Sequence, residues 1–219
     1  MTGGPLPILP ADPFGRTVGL VLAGGRSRRF GAEKALAALE GAPLVARAVA
    51  VLSGAATCVA VSAPEGSGAA AWAKAQRLPV LPDPPGAPDG PLSGVREGLR
   101  WARAQGAAVV VTAPCDAPDL PPDLASRLVV ALGRASAAVA RSPEGLQPLC
   151  AAWRLEALPM LEAALAEGRH PPVRAVLEAL CAAEAAFEDA AAFANLNTRA
   201  ELEARAGRGK APQPNVERG

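Results

Sequence analysis

Short runs of consecutive apolar residues alternate along the chain with longer segments in which apolar side chains return every three or four positions. TVGLVLA at 17–23 is unbroken and stops at Gly24-Gly25, the pattern of a strand covered on both faces. In 43–53, Leu44, Val45, Ala48, Val49 and Leu52 fall at helical spacing, which predicts a helix. TCVAVSA at 57–63 predicts a second strand, 68–75 an alanine-rich helix, and 77–81 a short third strand running into Pro82-Asp83-Pro84-Pro85. A helix over 91–105 and a strand AAVVVTA at 107–113 follow, then Pro114-Cys115-Asp116 and a helix from about Pro121, since proline suits a first helical turn. Strands that alternate with helices predict the α/β class, a mostly parallel central sheet between two helical layers.

Beyond about residue 136 the rhythm loosens. Segments 137–141 and 149–153 predict strands that could pair, and 154–167 and 173–183 predict helices. Asn195-Leu196-Asn197-Thr198 precedes a last helix over 199–205, with Thr198 placed to cap it. The tail from Gly207 has almost nothing to bury and reads as disordered. The chain is therefore divided into a flexible extension over 1–16, one folded domain over 17–206, and a disordered tail over 207–219.

Composition narrows the function. With 219 residues, half of them apolar, the chain can bury a core without disulfide or metal staples. A formal net charge of +1 argues against a nucleic-acid partner or a polybasic membrane surface. No apolar run reaches the roughly 18 residues of a spanning helix, and MTGGPLPILPADPFG has neither the basic start nor the apolar core of a signal peptide. A cytoplasmic protein is expected. Cys58, Cys115, Cys150 and Cys181 are widely separated and the chain has one histidine, His170. A structural zinc site needs closer ligands, so the four cysteines read as reduced, mostly buried thiols. No G-x-S-x-G elbow is present, which sets aside hydrolase chemistry of the Ser-His-Asp kind.

In open α/β sheets, ligands collect at the carboxyl ends of the strands. The first such end reads Leu22-Ala23-Gly24-Gly25-Arg26-Ser27-Arg28-Arg29-Phe30-Gly31-Ala32-Glu33-Lys34. Its glycines let backbone N–H groups approach an anion, and three arginines and a lysine supply charge, a combination that suits a polyphosphate. It is neither a Walker A loop, since Ala32 follows Gly31, nor a dinucleotide fingerprint, since Arg26 follows Gly24-Gly25. The alternative is an ordinary strand-to-helix connection with solvated arginines. The fourth strand ends near Asp116 and Asp119. Carboxylates there can hold Mg2+, which shares its remaining positions with phosphate and water, or can cap the next helix. We assign the metal to Asp116 and the cap to Asp119.

These segments resemble the molybdenum cofactor guanylyltransferases. LAGGRSRRFGAEKA at 22–35 is similar to that family's signature loop, and GPLSG at 90–94, PCDAP at 114–118 and NLNT at 195–198 resemble its later motifs in the same order. The resemblance implies a Rossmann-like three-layer αβα nucleotidyltransferase fold. It implies that Leu22, Ala23, Gly24 and Gly25 border the guanine nucleotide, that Lys34 meets its phosphates, and that Arg29, Asp83 and Gly90 belong to the same pocket. Asp116 would bind Mg2+ and act in catalysis with Lys34, while Asn195 and Asn197 would line the acceptor side, unless they only form the turn before the last helix. Two departures stand out: Glu33 replaces the family's usual Asp, and Ser62, carried over as a nucleotide contact, replaces an Asn of some members.

The implied reaction joins GTP and molybdopterin, in its molybdenum-loaded form, to give the guanine dinucleotide cofactor and pyrophosphate. The acceptor's phosphate has a second pKa of about 6 and is largely ionised at neutral pH, so no histidine base or covalent intermediate is needed. Transient contact with other cofactor-biosynthesis proteins and with recipient molybdoenzymes is expected. Arg169 and Arg174 are candidates for the acceptor phosphate, or belong to a solvated helix start. Two other readings stay open: a transferase of the same fold using CTP or another phosphorylated acceptor, and a non-catalytic nucleotide-binding protein. The second glycine of Leu22-Ala23-Gly24-Gly25 favours the guanine branch by analogy, and intact Lys34 and Asp116 speak against a dead site.

Overall fold

The computed structural model describes residues 16–24 and 33–208. The expectations placed on Gly25, Arg26, Arg28, Arg29 and Gly31, and on residues 1–15 and 209–219, lie outside them. Strands β1 (Thr17–Leu22), β4 (Val59–Ser62), β5 (Val80–Leu81) and β6 (Val109–Pro114) form the parallel half of a seven-stranded sheet ordered β5-β4-β1-β6-β8-β7-β9. The remainder is β7 (Ala137–Ser142), β8 (Gly145–Arg154) and β9 (Ala183–Ala186); β8 pairs antiparallel with β6 and β7, and β9 lies parallel to β7. Only β8 runs against the rest.

Both faces of the sheet are dry. In β1, Val18, Leu20 and Leu22 point to one face and Val21 to the other, all buried. The second face packs α1 (Leu44–Ser53), α2 (Gly68–Ala75) and α4 (Leu124–Leu132) through Val45, Leu52, Ala70 and Leu128. The first packs α3 (Pro91–Ala104), α5 (Leu158–Ala164) and α6 (Val173–Ala179) through Leu92, Leu99, Leu161 and Val176. Coverage on both sides explains why the strands read as unbroken apolar runs. Gly98 brings α3 onto the sheet: a Cβ there would lie 2.5 Å from Leu20 Cδ2.

Four local expectations are corrected. The helix foreseen from Pro121 starts at Leu124, because Pro122 disfavours helical backbone at the residue before it. The helix foreseen over 154–167 is a 3₁₀ turn, then α5, then a second 3₁₀ turn in which Glu167 has φ 60°. The helix foreseen to 183 stops at Ala179, and Cys181 turns the chain with φ 48° into β9. Alanine-rich as β9 is, pairing along Ala138–Arg141 of β7 overrides its helix propensity. The third strand keeps only Val80 and Leu81. Between the signature loop and α1, an unforeseen hairpin pairs β2 (Ala38–Leu39) with β3 (Ala42–Pro43), turning on Glu40 (φ 54°) and Gly41 (φ 85°). Two positive φ angles in a two-residue loop match the twist a tight hairpin needs.

The strand order reverses beside β1. From β1 the chain winds outward through β4 and β5, then crosses by α3 to β6 on the other side. The carboxyl ends of β1 and β6 therefore flank a crevice that the connections leave open, where ligands bind in sheets of this kind. The last helix, α7 (Arg199–Arg208), returns to this end, and Leu202 joins Leu39, Leu44 and Leu196 in a small separate core. Among the described residues no helix is long and apolar enough to cross a membrane.

Candidate active site

The crevice floor is backbone. Ala23 N donates to Ser62 O (2.9 Å) and Cys115 N to Leu22 O (3.2 Å), which aligns the ends of β1, β4 and β6. Leu22 and Ala23 are nearly buried, whereas Gly24 is exposed and a Cβ there would meet open space. Ser62 is buried beneath α3, its Oγ 2.5 Å from where a Gly94 Cβ would stand. A small side chain at 62 and none at 94 let the first turn of α3 settle on the strand ends.

Past the signature loop the chain is anchored by Glu33. Its two carboxylate oxygens accept from Gly68 N and Ala69 N, each at 2.6 Å, while Ser67 Oγ accepts from Ala70 N (3.2 Å). Together they satisfy the free amides at the start of α2, where negative charge is also favoured by the helix dipole. Lys34 follows at once, opening the 3₁₀ turn Lys34–Leu36. Its Nζ donates to Asp116 Oδ2 (2.8 Å) and Asn197 Oδ1 (3.2 Å).

Three segments far apart in sequence thus meet at one ammonium group. Asp116 stands just past β6, and its carbonyl accepts from Leu196 N (2.8 Å), so the NLNT segment is docked on it. Asp116 Oδ1 is buried with no hydrogen-bond partner among the described residues, although anionic oxygens in such places are normally satisfied. A hard cation suits that oxygen. Asn195 and Asn197 are exposed on either side of the buried Leu196. Lys34 and Asn197, expected on opposite sides of the cleft, are in direct contact.

Asp119 corrects another expectation. It caps no helix: its two oxygens accept from Arg205 Nε (2.7 Å) and Nη2 (2.8 Å), and Arg47 Nη2 lies 3.9 Å away. The residue before α4 is Asp123, which makes no side-chain cap. Asp119 instead ties α7 to the PCDAP loop. Thr198 does cap, as expected. Glu201 N donates to Thr198 Oγ1 (3.2 Å), and the Glu201 carboxylate accepts from Thr198 N (3.3 Å) and Asn197 N (2.5 Å). This is a reciprocal capping box, and the backbone N–H groups of Asn197 and Thr198 hold the Glu201 carboxyl below its ordinary value.

On the α3 side, Asp83 follows β5. It retains solvent access, yet the surrounding loop strips enough water, with Glu97 nearby, to push its carboxyl upward against the opposing pull of Arg96. Gly90 precedes α3 with φ 145°, and a Cβ there would lie 2.3 Å from the His170 ring. His170 Nε2 accepts from Leu92 N at 3.1 Å. Arg169 and Arg174 are exposed and pair with Glu167 (3.8 Å) and Glu178 (2.8 Å). The cysteines are unpaired; burial pushes the Cys115 thiol up to about 12 and the Cys150 thiol higher still. Neither thiol is a nucleophile near neutral pH.

Glu33 and His170 are the residues whose roles the sequence did not disclose. Their partners lie 35 and 78 residues away. The capping box had a readable signal, Thr198-x-x-Glu201.

Comparison with known proteins identifies the family. Residues 19–191 match the MobA-like NTP transferase domain. A molybdenum cofactor guanylyltransferase of Cereibacter sphaeroides is 43% identical over 188 residues, covering 85% of this chain and 94% of that protein. One from Rhodobacter capsulatus is 38% identical, covering 85% and 93%. Among solved structures, molybdopterin-guanine dinucleotide biosynthesis protein A from Archaeoglobus fulgidus superposes with a TM-score of 0.69 at 20% identity, over 88% of this chain and 98% of that one. A 4-diphosphocytidyl-2C-methyl-D-erythritol synthase from Anaerococcus prevotii gives 0.68 at 10% identity, over 90% and 97%. At those identities the structural likeness establishes the fold alone. With the family match spanning most of the chain and relatives this similar, the chain belongs to the MobA-like NTP transferases, in the branch of the molybdenum cofactor guanylyltransferases.

Proposed function

We propose that this protein transfers GMP from GTP to molybdopterin, releasing pyrophosphate and forming the guanine dinucleotide cofactor. The observation that carries the reading is the meeting of Lys34, Asp116 and Asn197 at the switch point of the sheet. An oxygen of the acceptor phosphate attacks the α-phosphorus of GTP, the bond to the bridging oxygen breaks, and pyrophosphate leaves with the electron pair. The acceptor is already ionised near neutral pH. The work left to the chain is to bring two anions into line and to neutralise charge on the leaving group.

Lys34 supplies a positive charge on a stem that is mostly buried, its side chain 12% exposed, so its position is defined. Asp116 would hold Mg2+ through the oxygen that has no hydrogen-bond partner among the described residues, and the ion would supply further neutralisation of the phosphates. Leu22, Ala23 and Gly24 border the nucleotide, with Gly25 and Arg29 of the same loop and with Ser62, Asp83 and Gly90 on the α3 side. Asn195 and Asn197 face the acceptor. A cytoplasmic setting fits four unpaired thiols, and handover to recipient molybdoenzymes would involve transient protein contacts.

The test is a nucleotide panel with Mg2+, read first by melting temperature and then by pyrophosphate release with molybdopterin. GTP should stabilise the fold more than ATP, CTP or UTP, because preferential binding to the native state raises apparent stability. Preference for CTP would move the protein to the cytidylyl branch. Binding without turnover would support a non-catalytic role.

A further inference from the structure

The one histidine of the chain lies in Arg169-His170-Pro171-Pro172, between the second 3₁₀ turn and α6, and nothing in the transfer chemistry uses it. Its surroundings are nevertheless built. Helix α3 starts without a side-chain cap of its own: Gly90 at the N-cap has none to offer, and Pro91 has no N–H. The first amide that the helix leaves free is therefore that of Leu92, and it donates to His170 Nε2 at 3.1 Å. To accept there, the imidazole must be neutral with its proton on Nδ1.

A second observation fits the same ring. It lies so close over Gly90 that a Cβ would stand 2.3 Å from both Cε1 and Nε2. Gly90 also has φ 145°, a conformation open to glycine. The chain has given up a side chain where His170 needs the space. The held segment is fixed again by Ser93 Oγ, which is buried and donates to Pro88 O at 2.8 Å. The next residue, Gly94, packs against Ser62 and Leu22 at the ends of β4 and β1. His170 thus clamps the first turn of α3 from outside while the strand ends bear on it from inside.

We propose that His170 is a positioning residue for the nucleotide: it holds the Gly90–Leu92 turn against the crevice, and its loss weakens nucleotide binding while leaving the transfer step intact. The proposal rests on the reading that Leu22 and Gly90 border the nucleotide. Binding alone is affected because Lys34 and Asp116 are held by other segments, Glu33 on α2 and Leu196 on Asp116. An interaction made equally in the ground and transition states changes KM without changing kcat.

The experiment compares His170→Phe, which keeps a ring over Gly90 but cannot accept, with His170→Gln, whose Oε1 can replace Nε2. Each is titrated calorimetrically with whichever of GTP, ATP, CTP and UTP the wild type binds most tightly, and kcat and KM are measured at saturating molybdopterin. H170F should weaken Kd and raise KM about fivefold to tenfold with kcat within twofold, and H170Q should stay within twofold of wild type throughout. Amide exchange reads the contact directly: Leu92 N–H should be protected in wild type and H170Q and lose at least tenfold protection in H170F. An unprotected Leu92 amide in the wild type, a loss confined to kcat, or H170Q as weak as H170F would each overturn the assignment. A wild type that prefers a nucleotide other than GTP overturns the guanylyl reading while leaving the His170 comparison intact; one that binds none overturns both.

Discussion

Lys34 Nζ sits 2.8 Å from Asp116 Oδ2, a charge pair across 82 residues of sequence that joins the exit of β1 to the exit of β6. Neither group is fully exposed, at 12% and 25% for the two side chains. The pair closes the switch point of the sheet, and the remaining Asp116 oxygen has no hydrogen bond among the described residues. A lysine and a carboxylate arranged this way can divide their roles once a triphosphate enters, the lysine turning to phosphate and the carboxylate to metal. Two tests follow. Asp116→Asn keeps the shape and should leave melting within a few degrees, yet reduce turnover by at least roughly tenfold, the scale of a charge-assisted contact. Chelation by EDTA should abolish wild-type turnover, and added Mg2+ should restore it. Normal turnover in Asp116→Asn would refute the metal role.

Asn197 is tied to the same ammonium group at 3.2 Å, so its variants cannot act on the acceptor alone. Lys34→Ala should weaken GTP binding or turnover by about tenfold or more. Asn197→Ala should reduce turnover with molybdopterin and also weaken GTP binding, though by less than Lys34→Ala does. The double variant should fall short of the product of the two single effects, since residues in contact are coupled by roughly 0.5–3 kcal/mol. Strict additivity in calorimetric titrations would show that the contact is idle in the bound state.

Much of this site was legible because its pieces are local. Unbroken apolar runs mark the buried strands; the glycines and Asp116 stand directly beyond two of them, and Lys34 closes the loop that the glycines open. What stayed hidden was the wiring between segments. Glu33 on α2, His170 on α3 and Asp119 on Arg205 are separated by 35, 78 and 86 residues, and no local period encodes such pairings. The antiparallel excursion through β8 was only half visible: residues 145–148 carry Gly, Gln and Pro, which weaken the strand pattern. Strand β9 was invisible because Ala-Glu-Ala-Ala is good helix sequence.

Asp83 offers a pH test with a defined sign. Loss of solvation and the neighbouring Glu97 raise its folded-state value above 3.8. A carboxyl raised on folding favours the native state in its protonated form, so its contribution is full below the unfolded value and is lost as pH rises through the folded one. Asp83→Asn removes that penalty. It should melt higher than wild type at pH 7, with a smaller difference at pH 4, and bind GTP less well if Asp83 serves the nucleotide pocket. A melting gain of equal size at both values would rule out titration as its cause.

Asp119 and Arg205 form a two-pronged pair at 2.7 and 2.8 Å on residues still about one-quarter to one-third exposed. Screening keeps such pairs to about 1 kcal/mol or less. Asp119→Ala should therefore lower the melting temperature by only a few degrees and leave kcat near wild type, in contrast to Asp116→Asn. Arg205→Ala should match it, and the double variant should cost no more than either alone. If Asp119→Ala loses turnover at unchanged stability, the two carboxylates have been assigned in the wrong order.

Glu33→Asp is the sharpest test of how Lys34 is placed, since aspartate is what the resemblance leads one to expect at this position. In this chain the carboxylate spans to α2 and accepts from Gly68 N and Ala69 N at 2.6 Å each. A Cβ on Gly68 would lie 2.6 Å from Glu33 Oε2 and 2.5 Å from Leu36 Cδ1, so the fit has no slack on the helix side. Removing one methylene withdraws both oxygens by more than a hydrogen bond tolerates. The free amides of α2 would then turn to water, and the turn carrying Lys34 would lose its anchor. Loss of a helix cap costs about 1 kcal/mol, which predicts a fall of a few degrees in melting for a domain of this size. Turnover should fall several-fold, because a displaced Lys34 meets the phosphates poorly. Glu33→Gln, which keeps the reach and one acceptor, should lie between Glu33→Asp and wild type in both measurements. If Glu33→Asp instead matches wild type in melting and turnover, the turn adjusts to the shorter side chain and Lys34 is positioned by Asp116 and Asn197 alone.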